Sequence, residues 1–140
     1  YRYFRDRVLG RDKFGALMDA LIGRYGLTHE GLSGDLWMTN EDLLDLTRDG
    51  HIIGLHSYTH PTDLKSLDPM DQHREYHQNA THIRSVIGRW PRTVAHPVNS
   101  YDPFTLSLLA DLGVEVGFRS NIHLTVHGQL EYPREDCANL

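Results

Sequence analysis

The chain has 140 residues, a formal net charge of −5, 39% hydrophobic and 24% charged residues, and one cysteine, Cys137. That length suits one domain over residues 1–140, and the negative balance provides no field to attract nucleic acid or an anionic membrane surface. No apolar run approaches the roughly 20 residues of a membrane span, no signal-peptide pattern is present, and a lone cysteine excludes an internal disulfide framework.

In chain order, the Arg-rich start (Arg2, Arg5, Arg7, Arg11) alternates with Asp6 and Asp12 and reads as a solvated face. Phe14, Leu17, Met18, Leu21, Ile22 and Tyr25 recur at three-and-four spacing, predicting a helix with a core-facing stripe that stops at Gly26. Leu27 to Trp37, with Gly31, Ser33 and Gly34, reads as a loop. Thr39 is the expected N-cap of a short helix, with Asp42 as the acidic partner of a capping box. Leu43, Leu44 and Leu46 form the apolar side of that helix and Gly50 ends it. A short strand over Ile52 to Leu55 follows. Asp68-Pro69 opens a long helix toward Gly88, with Met70, Tyr76, Ala80, Ile83 and Ile87 as core contacts and His73, His77 and His82 at the surface. Arg92 to His96 is a second strand. Asp102-Pro103 opens a helix with Phe104, Leu106, Leu109 and Leu112 facing inward, closed by Gly113. Val114 to Phe118 is a third strand and Gln129 to Tyr132 a fourth. Strands alternating with helices of this length indicate an α/β fold with a largely parallel sheet, in which ligands collect at the C-terminal ends of strands.

Two such ends carry chemistry. Gly50-His51-Ile52-Ile53-Gly54-Leu55-His56-Ser57-Tyr58-Thr59-His60-Pro61 is an apolar strand stopping in a loop with two histidines four residues apart. Pro61 disfavours the α region at His60, so the pair is not expected on a regular helix. Two imidazoles at a strand mouth can converge on one divalent ion, with Zn²⁺ the usual partner of nitrogen ligands. Taken alone, the same residues also read as a polar loop with two solvated rings.

This segment resembles the H-[ST]-x-x-H motif, with its G-H-x-I-G lead-in, of the NodB-type polysaccharide deacetylases, carbohydrate esterase family 4. Ala95-His96-Pro97-Val98-Asn99-Ser100-Tyr101-Asp102 is similar to the substrate-groove motif A-Y-P-F-G-S-Y-N of that family. Tyr132-Pro133-Arg134-Glu135 is similar to its L-P-R segment. The resemblance implies a (β/α) barrel and a hydrolase that removes acetyl groups from an acetylated polysaccharide or oligosaccharide with a divalent metal, Zn²⁺ foremost. It implies His56 and His60 as metal ligands, Ser57 as support of the metal loop, and His96, Pro97, Val98 and Tyr101 as substrate-binding residues. The backbone N–H of Val98 would face the oxyanion, and His96, in place of the tyrosine, would line the groove or touch the metal.

Arg134 would orient a catalytic aspartate; the alternative is a surface pair with Asp136. His127, or His123, stands nearest the position of the general acid, although Leu124-Thr125-Val126-His127 is one residue longer than L-x-H. The T-F-D-D-G motif, source of the catalytic base and the third metal ligand, is absent, and no Asp-Asp pair occurs in the sequence. The chain starts at Tyr1, so an incomplete or distorted barrel lacking its N-terminal part is expected. Such a barrel would be of doubtful activity, with open strand edges that favour a homo-oligomer. A non-catalytic carbohydrate-binding or self-associating remnant is the competing expectation.

Overall fold

The computed structural model describes residues 3–122 and 128–135. The chain divides into two compact units, Tyr1–Asp42 and Leu43–Leu140. The first unit is helical: a π-helical turn over Phe4–Leu9, then α1 (Arg11–Arg24), α2 (His29–Leu36) and the start of α3 (Asn40–Arg48). Helix α1 stops where the sequence predicts, with Leu27 N–H donating to Ile22 O at 3.0 Å across Gly26. The segment read as a loop is largely α2. Thr28 caps it, Oγ1 accepting from Gly31 N at 3.0 Å. That cap offsets part of the propensity cost of Gly31 and Gly34 over two turns. The expected core stripe of α1 is also corrected: Leu17, Met18, Leu21 and Tyr25 are exposed, and no described residue before Leu43 is buried. Periodicity marks a face but does not supply the surface that would cover it.

The capping box at Thr39 is present, with Asp42 N donating to Thr39 Oγ1 at 3.2 Å and Thr39 N donating to Asp42 Oδ2 at 2.7 Å. Those bonds hold the Asp42 carboxyl below the usual range. Helix α3 closes in the second unit as a Schellman motif. Gly50 takes φ +88°, and His51 N–H donates to Leu46 O at 2.9 Å.

The second unit is built on parallel pairing. Strands β1 (Thr93–Ala95) and β2 (Val116–Phe118) pair in the register Thr93↔Val116, Val94↔Gly117 and Ala95↔Phe118. Single parallel bridges, Leu55↔Val94 and Phe118↔Tyr132, add one residue of each expected outer strand. Parallel neighbours need crossovers. Helix α4 (Pro69–Ile87) joins Leu55 to β1, and α5 (Pro103–Asp111) joins β1 to β2. Two glycines allow close approach: a Cβ on Gly117 would run into the Leu130 backbone, and one on Gly54 into Thr93.

Helix α4 starts at Asp68, whose side chain accepts from Asp71 N at 2.8 Å, has Pro69 in its first turn and stops at left-handed Gly88. Helix α5 carries a full capping box between Asp102 and Thr105. The buried Thr105 hydroxyl donates to Gln72 Oε1 at 2.6 Å, tying α5 to α4. The core comprises Leu55, Leu64, Tyr76, Ala80, Ile83, Val94, Leu108, Leu109 and Val114. Of the other expected core residues, Ile87 and Leu112 pack partly buried against it, Leu106 is half-buried outside it, and two are exposed. Met70 in the first turn of α4 is 72% exposed, and Phe104 in the first turn of α5 is 41% exposed. On α5, Leu108 takes the inward place beside Leu109.

Candidate functional site

The C-terminal ends of Leu55 and β1 carry the histidine loop and the 97–99 turn. His56 is held from two sides. Its backbone N–H donates to Asn79 Oδ1 at 3.0 Å, and its ring Nδ1 lies 2.7 Å from Ala95 O. A carbonyl can only accept, so Nδ1 carries the proton and Nε2 keeps its lone pair. The rings of His56 and His60 meet edge to face, with centroids 4.8 Å apart and planes at 60°. Burial lowers the His56 pKa. The Ala95 bond works against this, while the nearby His60 and the positive charge of Arg134 add to it.

The loop turns through left-handed backbone at two non-glycine residues, Ser57 (φ +61°) and His60 (φ +53°). Such conformations persist when their surroundings fix them. Buried Ser57 supplies one fixing contact, its Oγ accepting from His60 N at 3.1 Å. Glu75 of α4 supplies the rest. Its Oε2 accepts from Tyr58 N at 3.0 Å and Thr59 N at 2.7 Å, and its Oε1 from the Thr59 hydroxyl. Sequence reading missed Glu75 and Asn79. The signal was available: two polar residues at i and i+4 fall on the helix face that also buries Gln72, Tyr76 and Ala80.

At the end of β1 the expected groove residues divide. Val98 is 40% exposed at φ +52°, and Asn99 follows at φ +55°. Pro97 and His96 are buried. His96 Nε2 donates to Leu130 O at 2.7 Å, and its ring stacks on Tyr101 at 4.2 Å between centroids. His96 Nδ1 has no hydrogen-bond partner among the described residues, and burial lowers the pKa of the ring. The Tyr101 hydroxyl donates to buried Glu131 Oε1 at 2.9 Å; burial and that carboxylate raise its pKa. Arg134 follows Tyr132: its amide donates to Asn121 O at 3.2 Å, and its Nε is buried with no hydrogen-bond partner among the described residues. His127, His123 and Asp136 lie outside the described residues.

The structure therefore brings His56 and His60 together at one strand end, within reach of the Arg134 charge, with Val98 and Tyr101 following the next strand. The donor chemistry suits a divalent metal in part. A backbone carbonyl fixes the His56 tautomer in the way that orients a ligating imidazole. Among the described residues, however, no group of three or more His, Cys, Asp or Glu converges.

Known proteins share the family and the fold of this chain. A family model described as polysaccharide deacetylase matches residues 19–117, more than half of the chain. No curated protein matches. Among solved structures, the Streptococcus pyogenes deacetylase PplD in complex with acetate is 20% identical at a TM-score of 0.66, over 87% of this chain and 58% of that one. IcaB from Ammonifex degensii is 19% identical at a TM-score of 0.60, over 79% of this chain and 51% of that one. BA3943 from Bacillus anthracis, described as a carbohydrate esterase family 4 pseudoenzyme, is 15% identical at a TM-score of 0.51, over 76% of this chain and 38% of that one. The chain thus spans between 38% and 58% of the length of these three structures. Identities this low establish a shared α/β fold, and the family model carries the assignment. The chain belongs to the polysaccharide deacetylase family.

Proposed function

We propose that this chain forms the metal-loop side of a carbohydrate deacetylase site, with His56 and His60 as two ligands of a divalent cation, Zn²⁺ first. The observation that carries this reading is the His56–His60 pair, 4.8 Å apart with the His56 tautomer set by Ala95 O. A cation there would polarise an acetyl carbonyl and make water a better nucleophile at neutral pH. The residues of the chain do the rest. Val98 presents its backbone N–H near the reacting carbonyl, Tyr101 and the 97–99 turn bound the sugar groove, and Arg134 orients an anionic group beside His56. The substrate is an acetylated polysaccharide or oligosaccharide.

Two protein nitrogens are one fewer than the usual catalytic zinc set. The sequence also lacks the Asp-Asp pair that would supply base and third ligand. Loss of base catalysis alone typically costs about 10²–10⁴-fold in rate. The 140-residue chain is therefore proposed to bind a cation and glycan while turning over slowly or not at all. The barrel is proposed to be incomplete. Each outer strand pairs through a single residue, and Ile52 beside the Leu55 edge is 75% exposed, a surface that a second copy can cover.

Bound zinc measured together with acetate release from an N-acetylated oligosaccharide tests this. Bound zinc lost on His56→Ala or His60→Ala, with acetate release at or below a small fraction of that of a complete deacetylase, supports the proposal. Zinc binding that is indifferent to both substitutions overturns it. The missing Asp-Asp pair favours a second reading, a non-catalytic glycan-binding module. Metal-independent sugar binding with no acetate release would establish it.

A further inference from the structure

Helix α4 carries another histidine pair, which the reading above does not use. His73 and His77 are both exposed and stand at i and i+4, on one face and successive turns. Their rings stack with centroids 5.4 Å apart and planes within 16°. Neither ring hydrogen-bonds to a described residue. Arg74, the nearest cation along the helix, is engaged with Asp71 at 2.5 Å. On its other side the His77 ring meets the edge of Trp90, 6.3 Å between centroids. It also lines a cavity of about 310 Å³ together with Tyr58, Gln78, Thr81, His82 and Ser85, which leaves room for water beside the ring.

We infer that His73 and His77 form a second divalent-cation site, binding Zn²⁺, Ni²⁺ or Cu²⁺ through one nitrogen of each ring, with water completing the coordination sphere. Imidazoles select these ions over Mg²⁺ and Ca²⁺, which demand oxygen ligands. The helix already holds both backbones, so binding orders only the two side chains. The same turns of α4 carry Glu75 and Asn79, which hold the His56–His60 loop. Occupancy of this pair therefore stabilises the helix segment that positions the loop, by mass action on the folded state. The inference does not rest on the deacetylase reading.

The test uses the full chain with His56→Ala and His60→Ala, which removes the strand-end pair. Trp37→Phe leaves Trp90 as the only tryptophan in that background. Titration with NiCl₂ or CuCl₂ should quench Trp90 emission saturably at one equivalent, reversibly on adding a chelator. His73→Ala and His77→Ala should each weaken binding by at least about tenfold, since even an outer-shell change costs a metal site about 10–100-fold. Both positions are exposed on a helix, where alanine is favourable, and far-UV circular dichroism checks that α4 persists. The inference is overturned if the loop variant shows no saturable quenching, or if both alanine variants keep the affinity unchanged. Loss of binding on His82→Ala alone would likewise overturn it.

Discussion

Glu75 offers the most direct test of how the histidine loop is held. Its carboxylate accepts from two backbone amides and one hydroxyl of the Tyr58–Thr59 segment, between the two candidate ligands. Hydrogen bonds to an ionised acceptor contribute about 1.5–3 kcal/mol each, and an orphaned buried donor costs about 1–3 kcal/mol. Glu75→Gln keeps the volume. Its amide oxygen can serve both backbone N–H groups, and the Thr59 hydroxyl can turn to accept from the amide nitrogen. That variant should lose about 1–2 kcal/mol of stability, mostly charge assistance. Glu75→Ala leaves the Tyr58 and Thr59 amides without their acceptor and should lose about 3–5 kcal/mol. The part of that loss which loosens the two-ring arrangement appears as weaker cation binding, tenfold for each 1.4 kcal/mol. Urea melts report the first quantity and zinc competition against a chromophoric chelator the second. Should Glu75→Ala match the parent in both assays, the loop is held by something other than this carboxylate.

Other perturbations follow from particular residues. Val98 sits in the left-handed region, which costs a side-chain-bearing residue about 1–2 kcal/mol and which asparagine tolerates better. Val98→Asn should therefore raise stability by about 1 kcal/mol in urea melts, whereas a decrease would show that the Val98 side chain contributes more than its backbone costs. Gly117→Ala would push a methyl into the Leu130 backbone and should destabilise by at least about 2 kcal/mol; an unchanged melting temperature would contradict the close approach of β2 to that segment. Burial lowers the pKa of His96, so between its folded value and the unfolded value near 6.5 the unfolded chain binds the extra proton. The contribution of His96 is thus complete above about pH 6.5 and is lost as pH falls through the folded value, with a slope of at most about 1.4 kcal/mol per pH unit. His96→Gln, which can still donate to Leu130 O, should remove that part of the slope; a variant with the same acid profile would assign it elsewhere.

The elements with strong local punctuation were legible in the residues. Asp68-Pro69 and Gly88 bound α4, Asp102 and Gly113 bound α5, and Thr39, Asp42 and Gly50 bound α3, because caps and left-handed stops are satisfied within a few residues of chain. The histidine loop was legible for the same reason, as a short spacing after an apolar run. Local signals misled where burial depends on a partner. The α1 stripe has the right period yet stays exposed, and Met70 and Phe104 face solvent although their neighbours define the core. Thr28 caps α2 in the structure, but the segment with Gly31, Ser33 and Gly34 read as a loop.

Residue order alone determined the limits of α3, α4 and α5, the α/β alternation and the two imidazoles at a strand mouth, since each follows from contacts within about a dozen residues. Tertiary structure alone decided what anchors them. Glu75 and Asn79 reach the loop from 16 to 23 residues away, and Ala95 O sets the His56 tautomer from 39 residues away. Hydrogen bonds spanning that much chain are specified by how the helix packs on the sheet, and no short stretch of sequence carries that geometry.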